Sequence, residues 1–203
     1  MPDRVPDVQR ADRQFGAAGA CETGEMASAV DLRIPEHERF VLDPVCISCT
    51  RPEDDPSTFA VSPLWKLVLH PDQTVPGAVL LVARRHVPKL SDLTEAEGAQ
   101  FFEVVKALEG AMEAALAATM VNFQCLRNWS FRDHEPTPPF KGGRPNPHVH
   151  WHVAPRYQDG CVILGERFSD PSFGEELVWG SRHVDATTQA EIIRLLQVGM
   201  DLR

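Results

Sequence analysis

His148-Val149-His150-Trp151-His152-Val153-Ala154 alternates histidine with apolar residues. Strict alternation is the period of a β-strand, whose successive side chains point to opposite faces. His148, His150 and His152 are therefore expected on one face, with Val149, Trp151 and Val153 buried on the other. Such a strand needs a sheet with a core on one side and a chemically active surface on the other. Three imidazoles side by side can bind a metal, attack a phosphorus atom, or do both.

The flanking sequence supplies partners for that strand. Leu64-Trp65-Lys66-Leu67-Val68-Leu69 and Ala78-Val79-Leu80-Leu81-Val82-Ala83 read as strands, separated by the punctuation Thr74-Val75-Pro76-Gly77. Thr94-Glu95-Ala96-Glu97 has the pattern of a capping box opening a helix. Within that helix Phe101, Val104, Val105, Leu108, Met112 and Leu116 recur at helical spacing, as a core face does. Thr119 to Leu126 reads as a strand, as does Cys161-Val162-Ile163-Leu164. Asn128 to Pro147 is a long loop with five prolines and two glycines, and loops of that length are commonly functional or disordered. An amphipathic helix is expected from about Thr187 to Met200. Short strands, one long helix between them and no glycine-rich nucleotide fingerprint predict an α+β fold with an antiparallel sheet.

Residues 1–39 are polar, Pro-containing and Gly/Ala-rich without a sustained period, and are expected to form a flexible tail. Residues 40–165 should hold the catalytic domain, and residues 166–203 an extension with the C-terminal helix. The net charge of −9 argues against a nucleic-acid partner. No apolar run approaches a membrane span, and no secretory signal opens the sequence. Five cysteines make no dense framework, so a reducing cytoplasm is the expected location.

Cys46-Ile47-Ser48-Cys49 can turn two sulfurs toward one ion. Zinc takes four ligands, and His86 in Arg84-Arg85-His86-Val87-Pro88 together with His148 would complete a set of two thiolates and two imidazoles. The competing readings of the pair are a redox dithiol or two incidental cysteines. Cys21, Cys125 and Cys161 read as unpaired thiols.

The alternating histidines, the Pro155-Arg156-Tyr157 that follows them, Val75-Pro76-Gly77-Ala78-Val79-Leu80-Leu81-Val82 before Arg85-His86, and the helix opening Ser91-Asp92-Leu93-Thr94 resemble the histidine triad (HIT) family in their order along residues 44–165. The resemblance implies a HIT-like antiparallel sheet, a homodimer through the long helix or its adjoining strand, and nucleotide phosphate chemistry. It is similar in particular to the zinc-containing branch related to dinucleoside polyphosphate hydrolases and hexose-phosphate uridylyltransferases. That branch implies a structural zinc at Cys46, Cys49, His86 and His148.

The resemblance also makes His150 the nucleophile, forming a covalent nucleotidyl-histidine, and His152 a phosphate holder. The expected ligand is a nucleotide or another phosphorylated small molecule. Asn128 would contact phosphate or leaving group, or else cap the strand end. His70 falls near the family's ribose contact, and Arg144, with Arg132, His134 and Lys141, would form an anion-binding lid or a set of solvated loop charges. Trp129, Phe131 and Phe140 are expected to pin the loop rather than stack on a base. The sequence departs from the family at Ala78, commonly histidine, at His70, and in Gly143-Arg144-Pro145-Asn146-Pro147 before the triad. These departures keep open a non-catalytic nucleotide-binding or interaction protein. A hydrolase with all three triad histidines on one catalytic ion would leave the Cys46–Cys49 knuckle unexplained.

Overall fold

A reciprocal cap fixes the start of the longest helix, α2, Glu95–Leu116. Thr94 Oγ1 accepts from the Glu97 N–H at 3.2 Å, and Glu97 Oε2 accepts from the Thr94 N–H at 2.7 Å. This is the predicted capping box, and it satisfies two otherwise orphaned donors. Glu97 is buried and also pairs with Arg85 at 2.8 Å.

The computed structural model describes residues 42–201. The expected tail over residues 1–39, and Cys21 with it, lies outside the described residues. The described elements run α1 Ile47–Thr50, β1 Thr58–Val61, β2 Trp65–Leu69, β3 Val79–Ala83, α2, β4 Met120–Gln124, β5 His150–Arg156, β6 Cys161–Ile163, β7 Glu166–Phe168 and α3 Ala186–Gly199. β1 to β5 form one antiparallel sheet in the order β1-β2-β3-β5-β4. The fold is α+β, with the long helix between strands and a C-terminal helix, as the sequence predicts.

The sheet has two chemically distinct faces. Leu67, Leu69, Val79, Leu81, Ala83, Val149 and Val153 are buried in the core with Leu108, Met112 and Leu116 of α2. Phe101, Val104 and Val105 are partly buried against it. Ile192 and Leu196 of α3 join the same core, and α3 approaches α2 so closely that a Cβ on Gly199 would fall 2.9 Å from the Ala111 Cα. Residues of opposite phase, including Lys66, Val68, His70, Leu80, Val82, His150 and His152, line a cavity on the other face.

The sequence reading missed α1, β1 and β7, which are only three or four residues long. Too few residues lie in each for a period to register. The segment after β7 returns to the sheet through buried polar anchors. Arg156 Nε donates to Asp170 Oδ2 at 2.6 Å. Asp72 accepts from the backbone N–H groups of Ser181 and Arg182 at 2.8 and 3.0 Å. Among the described residues no helix is long and apolar enough to cross a membrane.

Candidate active site and metal centre

Cys46, Cys49, His86 and His148 come together from three parts of the chain. Cys46 caps α1 and Cys49 lies within it, His86 follows β3, and His148 leads into β5. One ligand atom from each lies within 4.8 Å of the other three. His148 Nε2 lies 2.8 Å from the Ala83 carbonyl oxygen, and His86 Nε2 lies 3.0 Å from Asn146 Oδ1. Each ring can meet such an oxygen only by donating, so each Nδ1 is left with its lone pair. The two Nδ1 atoms face each other at 3.1 Å, with sulfurs at 3.3–3.4 Å. Converging lone pairs of two imidazoles and two sulfurs fit a cation, and the donor set is that of a closed tetrahedral zinc centre.

The hydrogen bond between the two thiols shifts them in opposite directions. A hydrogen bond from Cys49, backed by His148 and His86, holds Cys46 far below the ordinary thiol range. The hydrogen bond with Cys46, then burial, pushes Cys49 up. A bound cation would remove this competition for one proton by favouring both thiolates.

Two residues further along, His150 Nδ1 lies 2.8 Å from the His148 carbonyl oxygen. Nδ1 must therefore carry the proton, and Nε2 keeps its lone pair. Burial lowers the His150 pKa, which favours the neutral ring. His152 is held down to about 3 by burial, then by His150 and His70. Its Nδ1 is buried with no hydrogen-bond partner among the described residues. The His150 and His152 rings lie 5.1 Å apart, centroid to centroid, and His152 lies 5.3 Å from His70.

The cavity beside these rings has a volume of about 190 Å³. His70 and Asn128 both line it, Asn128 from the exposed start of a short 3-10 turn after Arg127. His70 Nδ1 is engaged by the backbone of Asp72 at 3.0 Å, and Trp179 stacks on the ring at 4.4 Å and 22°. Burial lowers the His70 pKa. Arg144 is not brought to the cavity; it is exposed and bridges to Lys141 across a tight turn. Trp129 lines the cavity mouth under the Arg132 guanidinium. Phe131 and Phe140 are exposed rather than pinning the loop inward. The loop is held instead by polar contacts: Asn146 Nδ2 and Lys141 Nζ donate to the buried Asp43 Oδ2 at 3.2 and 2.8 Å.

Sequence reasoning missed Lys66, Arg127, Trp179, Asn146 and Asp43. Lys66 left a signal, because it interrupts an apolar strand two positions from Val68 and four from His70, on the same face. Arg127 lines the cavity with a buried Nε that lacks a hydrogen-bond partner. The placements of Trp179, Asn146 and Asp43 depend on long-range packing and left no local pattern.

Comparison with known proteins agrees with the fold. The HIT domain family model matches residues 51–132, ending within the loop that leads to the triad strand. No curated protein matches the chain. A histidine triad protein from Bradyrhizobium japonicum shares the fold at 22% identity and a TM-score of 0.51, over 70% of this chain and 89% of that one. A histidine triad protein from Marinobacter aquaeolei VT8 superposes at 22% identity and a TM-score of 0.50, over 71% and 88%. A uridylyltransferase superposes at 18% identity and a TM-score of 0.52, over 77% of this chain but 45% of that one. Residues 51–132 thus match the HIT domain, and the described residues share the fold of the histidine triad proteins.

Proposed function

We propose that this protein is a nucleotidyl hydrolase or transferase in which His150 forms a covalent nucleotidyl intermediate. The observation that carries the reading is the His150 tautomer, with Nδ1–H on the His148 carbonyl and Nε2 free beside the cavity. The Nε2 lone pair attacks the α-phosphorus, and the bond from phosphorus to the leaving group breaks, its electron pair leaving with that group. The ring gains positive charge, which the His148 carbonyl stabilises. Water or a second acceptor then attacks the same phosphorus and frees His150. The bond broken belongs to a phosphoester, phosphoanhydride or phosphoramidate.

Charge develops on the phosphate oxygens in both steps, and fixed donors there lower the barrier. His152 is assigned to hold those oxygens, with Asn128 at the cavity wall. His70 Nε2, the ring nitrogen left over after the Asp72 contact, is assigned to a substrate hydroxyl. Arg144 would meet only a ligand extending beyond the cavity.

One zinc per chain at Cys46, Cys49, His86 and His148 completes the proposal. Four protein ligands would leave it no open position, so it would supply cross-linking rather than catalysis. It would tie α1 and the end of β3 to the start of the triad strand. The protein is further proposed to work in the cytoplasm as a homodimer. Phe102 on α2 and the edge of β4, unpaired among the described residues, are exposed for that contact. Sedimentation at micromolar concentration showing only a 22.6 kDa species would exclude the dimer.

Intact mass after incubation with labelled dinucleoside polyphosphates and nucleoside phosphoramidates tests the chemistry, with a His152 variant to slow turnover. A trapped nucleotidyl adduct is expected. A protein that binds nucleotides but forms no adduct and cleaves none is instead a non-catalytic nucleotide-binding protein.

A further inference from the structure

Lys66 and Val68 alternate along β2, and with His70 just beyond its end they share the cavity face. The strand register pairs Lys66 with Val82 and Val82 with His150; one step along, Val68 pairs with Leu80 and Leu80 with His152. The cavity floor is thus a grid three strands wide, apolar across its middle, with histidines along one side. Lys66 occupies a corner on the opposite side. Adjacent strands lie about 4.8 Å apart, so Lys66 sits about 10 Å across the floor from His150. A nucleotide whose phosphorus meets His150 spans that distance with its sugar and base.

The corner is chemically unusual. Lys66 is only 4% exposed, and its Nζ has one hydrogen-bond partner among the described residues, the Arg51 carbonyl at 3.3 Å. An ammonium has three donors and no acceptor. The cavity lining includes Lys66, Arg51 and Arg127 but no carboxylate, although the whole chain carries a net charge of −9. Arg51 is already paired with Asp55 at 3.0 Å. Lys66 therefore has donor capacity to spare at the far end of an apolar floor. A flat base resting on Val68, Leu80 and Val82 would turn its far edge toward that ammonium. A carbonyl oxygen there accepts a hydrogen bond, whereas an exocyclic amine opposes donor to donor.

The geometry points to Lys66 as a base-selecting residue: the site takes nucleotides whose base presents a carbonyl oxygen at its far edge, such as uracil, hypoxanthine or guanine, over the amino-edged cytosine and adenine. The inference rests on the nucleotide reading above. It sharpens that reading from nucleotides in general to one class of base.

Two matched pairs test it by equilibrium binding to the full-length, metal-loaded protein: inosine against adenosine monophosphate, and uridine against cytidine monophosphate. Within each pair the decisive change is oxygen for amine. The oxo member of at least one pair is expected to bind roughly tenfold tighter or more. Lys66→Met should abolish that preference, because neither base edge then meets an ammonium. Lys66→Arg keeps a donor and should retain the preference. Equal affinities within both wild-type pairs, which need no variant to measure, overturn the selection but leave the nucleotide reading standing. A preference that survives in folded Lys66→Met also overturns the assignment. A wild type that neither binds nor turns over any nucleotide overturns both.

Discussion

His148 presents its carbonyl oxygen to His150 Nδ1 at 2.8 Å while its own Nδ1 faces the two sulfurs of Cys46 and Cys49 at 3.4 Å. One residue thus orients the proposed nucleophile with its backbone and offers a metal ligand with its ring. Alanine at position 148 removes the ring but keeps the carbonyl. His148→Ala is therefore expected to lose zinc and lower the thermal midpoint. His150→Ala should reduce nucleotide turnover to background with midpoint and zinc content nearly unchanged. His152→Ala removes one oxygen-binding donor, a change worth about 100- to 1000-fold in rate. Thermal midpoint, zinc stoichiometry and turnover measured on each variant separate the three roles. Wild-type turnover in His150→Ala would sink the nucleophile assignment.

Zinc occupancy is the second prediction. Protein purified without added metal should contain about one equivalent of zinc. Asn146 Oδ1 lies 3.0 Å from His86 Nε2 and orients that ring. Losing such an outer contact typically costs about 10- to 100-fold in metal affinity. Asn146→Ala should therefore release zinc to a competing chelator at correspondingly lower chelator strength, with all four ligands intact. A metal-free wild type that is fully folded, or an Asn146→Ala affinity equal to wild type, would contradict the metal reading.

Acid should weaken both activity and fold below pH 6.5. Burial lowers the pKa values of His70, His150 and His152 from 6.5. Below 6.5 the unfolded chain takes up protons that the folded rings refuse, so stability present above that pH is lost as pH falls toward the folded values. Each such imidazole contributes a slope of at most about 1.4 kcal/mol per pH unit. The nucleophile needs a neutral ring, so the acid limb of kcat/KM should have its midpoint below 6.5. A profile on zinc-saturated protein with that midpoint at or above 6.5 would refute the buried, neutral His150.

Gly199→Ala should destabilise the fold, although alanine is the better helix former. A Cβ on Gly199 would lie 2.8 Å from the Ala111 Cβ and 2.9 Å from its Cα, so backbone must move. Overpacking of this kind costs about 1–3 kcal/mol. Chemical denaturation reads the loss directly; an unchanged or raised midpoint would mean that α3 does not sit against α2 as described.

Local patterns carried much of the fold. The alternation through His152, the capping box at Thr94 and the stripe ending at Leu116 each encode an element within a few residues, and all three are present. The four-donor cluster was also legible, because residue types and their order restrict how sulfur and imidazole can converge. What escaped was long-range. Trp179 reaches His70 only because Asp72 and Thr74 hold the backbone of residues 180–182. Asn146 reaches His86 only because Asp43, more than a hundred positions earlier, anchors the same loop. Lys66 was legible in phase but not in consequence, since only the register across β3 sets it opposite His150.

The pairing of β5 with β3 acts as a reading frame. Val82 meets His150 and Val79 meets Val153. A slip by one residue would turn every side chain of the strand to the other face. The histidines would enter the core, and Val149 and Val153 would leave it. The fourth donor of the sulfur–imidazole cluster, the free ring nitrogen at the cavity and the apolar seal beneath it would be forfeited together. Misassembly of this strand is therefore all-or-none, and a chain that has closed its four-donor cluster has already verified the alignment of its histidine strand.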